Sequence, residues 1–280
     1  MAKRCGTVNK PCSYPRASFW RQSMGVDFIN GSGVSYFSKV ETLLDRAVAL
    51  GYSVPNSTIL AELSNFYEDT DDVLSLLDIA YMGGNGGSQA FSFLNIINPS
   101  LYEIDAPAGI TYGTTGWLPN GTTQYLSTNW NPATNGVNYT LNAASRGAWV
   151  RVLPATVLVI DGTITTGSRN TMRSQSSSTL QKINQGSGAL AGALDFTGTD
   201  YVAINRSDAN AIQGYKALVK TETTAAAISV ISEEQTIFKN GTAFGDPRLL
   251  FYFCGGSLTE VQHNKLRNNL FTYFTNIGAL

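Results

Sequence analysis

The chain has 280 residues, with 19 Lys and Arg against 20 Asp and Glu, a net charge of −1 and only 14% charged side chains. A balance this near neutral gives the whole molecule no electrostatic reason to seek nucleic acid, and there is no run of about 18 apolar residues to span a membrane as a helix. The length can bury a sizeable core, and one large β domain with helical additions fits it as well as two domains do.

The charge is distributed unevenly. Lys3, Arg4, Lys10, Arg16 and Arg21 all precede the first acid, Asp27, and Pro11 and Pro15 interrupt the segment. Because it lacks an uninterrupted apolar core, it does not read as a signal peptide. We read residues 1–33 as a basic, extended anchor arm that docks on another protein through these five cations and Trp20, an aromatic-plus-Arg combination that suits a binding hot spot. Cys5, Cys12 and Cys254 are too few and too unevenly placed for a disulfide framework. A Cys5–Cys12 bridge is open geometrically, although free thiols suit a chain assembled in cytoplasm. With the single His263 they match no zinc spacing, so no metal or cofactor is assigned.

Residues 34–82 read as a short helical segment. Ser35 is placed to cap a helix whose Phe37, Val40, Leu43, Leu44, Ala47 and Leu50 recur at the helical period, with Gly51 ending it. Pro55 and Asn56 introduce a second helix over 57–66, and Asp71 and Asp72 favour the start of a third running from Thr70 to Leu77. Asp78 to Met82 reads as a strand leading into Gly83-Gly84-Asn85-Gly86-Gly87. That loop lacks the Gly-Lys-Ser/Thr ending of a phosphate cradle, and it reads as a flexible turn into a β domain spanning 83–280.

From Phe91 to Pro132, runs of aromatic and β-branched residues are cut by Asn98-Pro99, Ala106-Pro107, Gly113, Pro119-Asn120-Gly121 and Asn131-Pro132. Such spacing predicts the short strands of a sandwich or barrel. Further strands are expected over 137–141, 146–153, 156–160, 171–174, 180–184, 201–205, 215–220, 235–239 and 249–254. Asp161-Gly162, Gln213-Gly214 and above all Asn240-Gly241 are expected at hairpin turns. Ser257-Leu258-Thr259-Glu260 has the capping-box pattern, so a helix over 258–278 closes the chain against one side or edge of the sandwich. The fold class is therefore mainly β: an antiparallel jelly-roll sandwich with N-terminal helices and a C-terminal helix.

The blocks LNIINPSLYEI, TGWLPNGTTQYLSTNWNP, YTLNAASRGAWV, SRNTMRSQSSS, YVAINRSDANAI and FYFCGGSLTEVQHNKLRNNLFTYF, in that order, resemble a family of bacteriophage virion proteins. These are tail-fibre or appendage components whose C-terminal part is a concanavalin A-like (laminin-G-like) jelly roll. The resemblance covers roughly residues 73–280. It implies a virion location after assembly in the host cytoplasm, other virion proteins as partners, and a lectin-like sandwich for host attachment. It leaves the N-terminal 30 residues or so unaccounted for.

Chemistry is sparse in the residues themselves. A retaining glycosidase needs two carboxylates about 5 Å apart. Glu103 and Asp105 are the one i, i+2 pair in a plausible strand, and Pro107 ends that strand, while Asp71-Asp72 and Glu233-Glu234 are adjacent and face opposite ways when extended. His263, between Gln262 and Asn264, is expected at the surface with no nucleophile at hand, and no G-x-S-x-G motif occurs. No catalytic residue is assigned and the protein is not expected to be an enzyme. Trp130, flanked by Asn129 and Asn131 and followed by Asn135 and Tyr139, is the candidate carbohydrate platform, since a ring face and amide hydrogen-bonders together suit a sugar. The competing reading packs Trp130 into the core, as for Trp117 and Trp149. Six Asn-x-Ser/Thr sequons, at Asn30, Asn56, Asn120, Asn138, Asn205 and Asn240, carry no glycosylation meaning in a bacterial cytoplasm.

The sequence thus points to a structural virion protein, a homo-oligomer with a trimer favoured. Its arm binds other virion proteins and its sandwich meets a host-surface glycan, with no nucleic acid partner and no membrane insertion. A capsid or head decoration protein without ligand and a particle-borne glycan hydrolase stand as alternatives.

Overall fold

The computed structural model describes residues 36–154, 159–165 and 167–280. The anchor residues Lys3, Arg4, Lys10, Arg16, Trp20 and Arg21, together with Cys5 and Cys12, lie outside them. In chain order the elements are α1 (Ser38–Ala49), α2 (Ser57–Leu74), β1 (Leu77–Met82), α3 (Gln89–Ser92), β2 (Thr111–Gly113), β3 (Gly116–Leu118), β4 (Leu126–Ser127), α4 (Pro132–Asn135), β5 (Ala144–Val152), β6 (Val159–Ile164), β7 (Arg169–Arg173), β8 (Ser176–Ser177), β9 (Lys182–Gln185) and β10 (Leu194–Asp195). They continue with β11 (Asp200–Arg206), β12 (Ala211–Lys216), β13 (Val219–Thr224), β14 (Thr236–Ile237), β15 (Lys239–Asn240), β16 (Ala243–Phe244), β17 (Arg248–Gly255) and α5 (Glu260–Asn276).

An eight-stranded sheet runs β13-β12-β11-β5-β17-β3-β2, with β1 also pairing β17, and a five-stranded sheet runs β4-β14-β6-β7-β9. Every pairing among the described residues is antiparallel. The chain crosses between sheets repeatedly, in the mainly-β antiparallel sandwich with flanking helices that was expected.

Strand alternation explains how two cores share the large sheet. Ile79, Tyr81, Ala148, Val150, Val202, Ile204, Ile212, Leu249, Tyr252 and Cys254 point toward the small sheet, where they meet Leu126, Ile160, Met172, Ile183 and Ile237. The intervening Ala80, Met82, Trp149, Tyr201, Ala203, Tyr215, Phe251 and Phe253 point the other way, onto Leu60, Leu63, Phe66, Leu266, Leu270 and Phe274 of α2 and α5. A register shift between Leu249 and Phe251 lets Leu250 and Phe251 both face the helices. Antiparallel sheets commonly leave one face wet. Here β1 and β17 are buried almost continuously because both faces are covered, and each fully buried Leu or Phe contributes about 1.5–3 kcal/mol relative to exposure. Residues 36–280 form one compact unit.

Several expectations are corrected. The two helices expected over 57–66 and 70–77 are one, α2, capped by Asn56 Oδ1 accepting from Ile59 N at 3.0 Å. Asp71 and Asp72 do not start a helix; they face outward from α2 to Lys39 and Lys265. The stretch 137–141 is not a strand, because the backbone N–H groups of Asn138 and Tyr139 donate to the Asp78 carboxylate, at 2.8 and 3.0 Å, in place of a ladder partner. Gly214 lies inside β12, where a Cβ would come within 3.1 Å of Phe196 and Thr221; the turn falls instead at Ala217-Leu218, with Ala217 at φ 52°. The C-terminal capping box uses Thr259 and Gln262, two residues later than expected. The Gly83–Gly87 loop is tied down: the Asn85 side chain bonds Met82 O, Gly87 N and the Tyr112 hydroxyl at 2.7 to 2.9 Å. Asn240-Gly241 does form the expected hairpin, with Asn240 opposite Ala243.

Candidate functional site

The candidate sugar platform does not survive folding. Trp130 is wholly buried, its ring meeting Tyr139 edge-on at 5.5 Å and 76°. A ring with no exposed face cannot stack on a sugar, so Trp130 and Tyr139 are core residues. The asparagines around them are used internally. Asn129 N donates to Glu234 Oε1 at 2.5 Å and its Nδ2 to Glu103 O at 2.7 Å. Asn131 caps α4 through Ala133 N and donates Nδ2 to Ser232 O at 2.8 Å, while Asn135 Oδ1 accepts from Asn131 N. These bonds fasten the 129–135 loop to the 232–235 segment. Loop polarity in the sequence was the signal, and it reported tethering.

The Glu103 and Glu234 carboxylates are engaged as well, while Asp105 is tied through its backbone. Glu103 accepts from the Tyr52 hydroxyl at 2.5 Å with Arg46 4.0 Å away, and Asp105 sits in an isolated bridge with Ser127. Glu234 also accepts from the Ser127 hydroxyl. Among the described residues, no group of three or more His, Cys, Asp or Glu is placed to hold a metal ion.

Between the sheets lies a polar cluster that sequence reading missed, because Asp161-Gly162 looks like a turn. Arg146 on β5 and Asp161 on β6 are both fully buried and paired at 3.1 Å. Arg146 Nη2 donates to Lys182 O at 2.8 Å, and the Tyr252 hydroxyl donates to Asp161 Oδ2 at 2.7 Å. Burial pushes the Asp161 carboxyl up, opposed by Arg146 and Tyr252. The thiol of Cys254 beside Tyr252 is free, buried and raised by desolvation, which makes it a poor nucleophile. With no exposure to solvent, this cluster specifies the core and offers no reactive surface.

His263 is also buried, contrary to the surface position expected. Its Nδ1 lies 2.7 Å from the Tyr201 hydroxyl and its ring stacks on Tyr215 at 3.8 Å. Burial, with Lys220 adding to it, pulls its pKa down to about 3.

Among the open depressions of the described residues, a groove of about 250 Å³ lies at one end of the large sheet, lined by Trp149, Arg151, Thr199, Asp200, Phe271 and Leu280, and another of about 210 Å³ is lined by residues that include Gln185, Leu190, Thr224 and Ile228. Trp149 and Arg151 sit near the end of β5, on the face toward α5, and Asp200 pairs with Val150 at the start of β11. α5 brings Phe271, 44% exposed, beside Trp149 at 6.3 Å. Arg267 lies 5.0 Å from the Phe271 ring and 5.7 Å from Trp149, and it holds Asp200 through two bonds, Nε–Oδ1 at 3.1 Å and Nη2–Oδ2 at 2.5 Å. Asp200 adopts φ 133°, a strained value for a non-glycine residue that this fork helps to hold. Arg151 Nε donates to Ala279 O at 2.8 Å, drawing the C-terminal residues in as a wall. An exposed ring beside charged and hydroxyl groups is the pairing a sugar requires. The volume is below the roughly 300–1,000 Å³ of drug-sized pockets, which suits shallow recognition.

No protein-family model matches the chain, and no curated protein matches it. Among solved structures, domain 4 of AbnA, an extracellular arabinanase from Geobacillus stearothermophilus in complex with arabinotriose, aligns at 13% identity over 68% of this chain and 98% of that one, with a TM-score of 0.45. The ligand-binding domain of botulinum neurotoxin serotype D in complex with N-acetylneuraminic acid aligns at 10% identity over 71% of this chain and 52% of that one, TM-score 0.48. The Trypanosoma rangeli sialidase aligns at 10% identity over 76% of this chain and 39% of that one, TM-score 0.48. The chain thus spans about half of the neurotoxin domain and two-fifths of the sialidase. The fold itself rests on the strand pairings above: a mainly-β antiparallel sandwich.

Proposed function

We propose that this chain is a structural component of a bacteriophage particle, of the tail-fibre or appendage kind, whose sandwich binds host-surface glycan without turning it over. The observation that carries the binding half is the groove of Trp149, Phe271, Arg151, Thr199 and Asp200, with a half-exposed ring and polar groups at its rim. Trp149, Val150 and Phe271 of the groove fall within blocks that carry the family resemblance, whereas Arg151, Thr199, Asp200 and Leu280 fall outside them. In this reading the basic arm fastens the protein to other virion components.

The test is binding to a glycan array and to purified host surface polysaccharide. Wild type binds, and Phe271→Ala weakens binding by about tenfold, the equivalent of one aromatic contact. Equal binding by wild type and variant removes the groove from the account. Release of shortened product from polysaccharide, abolished by Glu103→Gln or Asp105→Asn, overturns binding without turnover. Particle incorporation unchanged after deletion of residues 1–26 overturns the anchoring half.

A further inference from the structure

The large sheet ends in an open edge. β13 is its terminal strand among the described residues, six residues long, with Val219, Lys220, Thr221, Glu222 and Thr224 exposed. β2, β4 and β9 end the other edges with three, two and four residues, and β1, six residues long and paired only with β17, is buried, with Asn95 and Ile96 bonded to Ala80 on its outer side. A long, flat, exposed edge is a template for pairing with another chain unless something guards it.

We infer that β13 pairs antiparallel with β13 of a second copy, about a twofold axis at Thr221, joining the two large sheets edge to edge. The register follows from the hairpin. β12 and β13 are joined by the two-residue loop Ala217-Leu218, with Lys216 opposite Val219 as the closing pair. Hydrogen-bonded and non-hydrogen-bonded pairs alternate from there, so the backbone groups of 219, 221 and 223 face β12 and those of 220, 222 and 224 face outward. An antiparallel twofold pair must match outward-facing residues with one another. Centring on Lys220 or on Glu222 sets like charges opposite each other, and centring on Thr223 leaves both charges without a match. Centring on Thr221 sets Lys220 opposite Glu222 of the second copy twice, with both charges on the same face. In that register four outward N–H and C=O pairs are satisfied, and Val219, 63% exposed, comes opposite Thr223.

Within one chain the two charges contribute little that competes with this. Lys220 Nζ lies 3.7 Å from Glu222 and 4.0 Å from Glu260, long contacts between side chains that remain largely exposed. The interface is isologous and closes as a dimer, where the sequence alone favoured a trimer. It is independent of whether the groove binds glycan.

The experiment is sedimentation equilibrium of the full chain at concentrations up to about 100 µM, above the micromolar Kd expected of a small interface. Wild type forms dimers. Lys220→Glu and Glu222→Lys each turn two attractive pairs into two repulsive ones and weaken self-association by about tenfold or more. The double variant K220E/E222K restores the homodimer, and an equimolar mixture of the two single variants forms a heterodimer, since each strand then carries the charge the other needs. Circular dichroism melts identical to wild type show that the substitutions leave the fold intact. A wild type that stays monomeric over this range overturns the inference, as does a dimer or trimer indifferent to the single reversals, or a double variant that fails to re-associate.

Discussion

The one histidine gives the sharpest test of how the helical layer sits on the large sheet. His263 is buried on α5 against Tyr201 and Tyr215, and its pKa falls from 6.5 to about 3, chiefly through desolvation. The unfolded chain therefore takes up a proton that the folded chain refuses. Stability is at full value above about pH 7 and falls as pH drops through 6.5 toward 3. With a limiting slope of about 1.36 kcal/mol per pH unit, the loss between pH 7 and pH 5 is about 2 kcal/mol. Carboxylates of unfolded chains titrate near pH 4, and Asp161, raised by burial in the folded chain, acts in the opposite sense but is common to wild type and a His263 variant, so their difference isolates the imidazole. Urea unfolding of wild type at intervals from pH 7 to pH 5 should show this decline. His263→Gln, less stable throughout, should lack it, and the α-amino group cancels between the two. An equal slope in wild type and the Gln variant refutes the placement of the imidazole.

Two further outcomes follow from the sandwich interior. Removing one partner of the buried pair, as Arg146→Met or Asp161→Leu, should cost about 3–5 kcal/mol in urea unfolding, whereas the double variant should recover much of that; additive losses in the double-mutant cycle would show that the two charges are not coupled. Trp130→Ala should lower stability by about 3–5 kcal/mol in thermal or urea unfolding, while glycan binding measured well below the melting temperature stays as in wild type. Lost binding with an unchanged melting temperature would return Trp130 to the role of sugar platform.

The parts of this fold that the sequence made legible are those where local chemistry and final environment agree. α1 follows the helical spacing of Val40, Leu43, Leu44 and Ala47, all buried, and Asn240-Gly241 turns a hairpin because glycine accepts its φ of 60°. Legibility failed where tertiary context overrode local signals. Asp161-Gly162 has turn composition, yet Arg146 from the opposite sheet makes a buried aspartate tolerable in a strand. The flanking Gln262 and Asn264 made His263 look solvated, but its own position on α5 faces Tyr201 and Tyr215. The turn at Ala217 uses a residue that seldom takes positive φ, so nothing in the composition marked it. The groove was hidden for a related reason: Trp149, Asp200 and Phe271 are separated by 51 and 71 positions in sequence, and β5, β11 and α5 bring them together only through long-range pairing and packing.

This arrangement also limits where any ligand can meet the protein. A sandwich with one free sheet face can present a broad binding surface, but here α2 and α5 cover the large sheet on one side and the small sheet covers it on the other. Among the described residues, the surfaces of that sheet still open are the ends of its strands and its terminal edge. The groove occupies one such end, where α5 leaves Phe271 half-exposed and the C-terminal residues bend in to Arg151. β13 forms the long edge, lying next to β12 and outside the groove's lining. If the groove binds glycan and β13 joins two copies, as proposed above, recognition and self-association fall on separate surfaces and the dimer carries two grooves, so that two modest affinities for a repetitive glycan combine into one stronger attachment wherever its repeat spans the two sites.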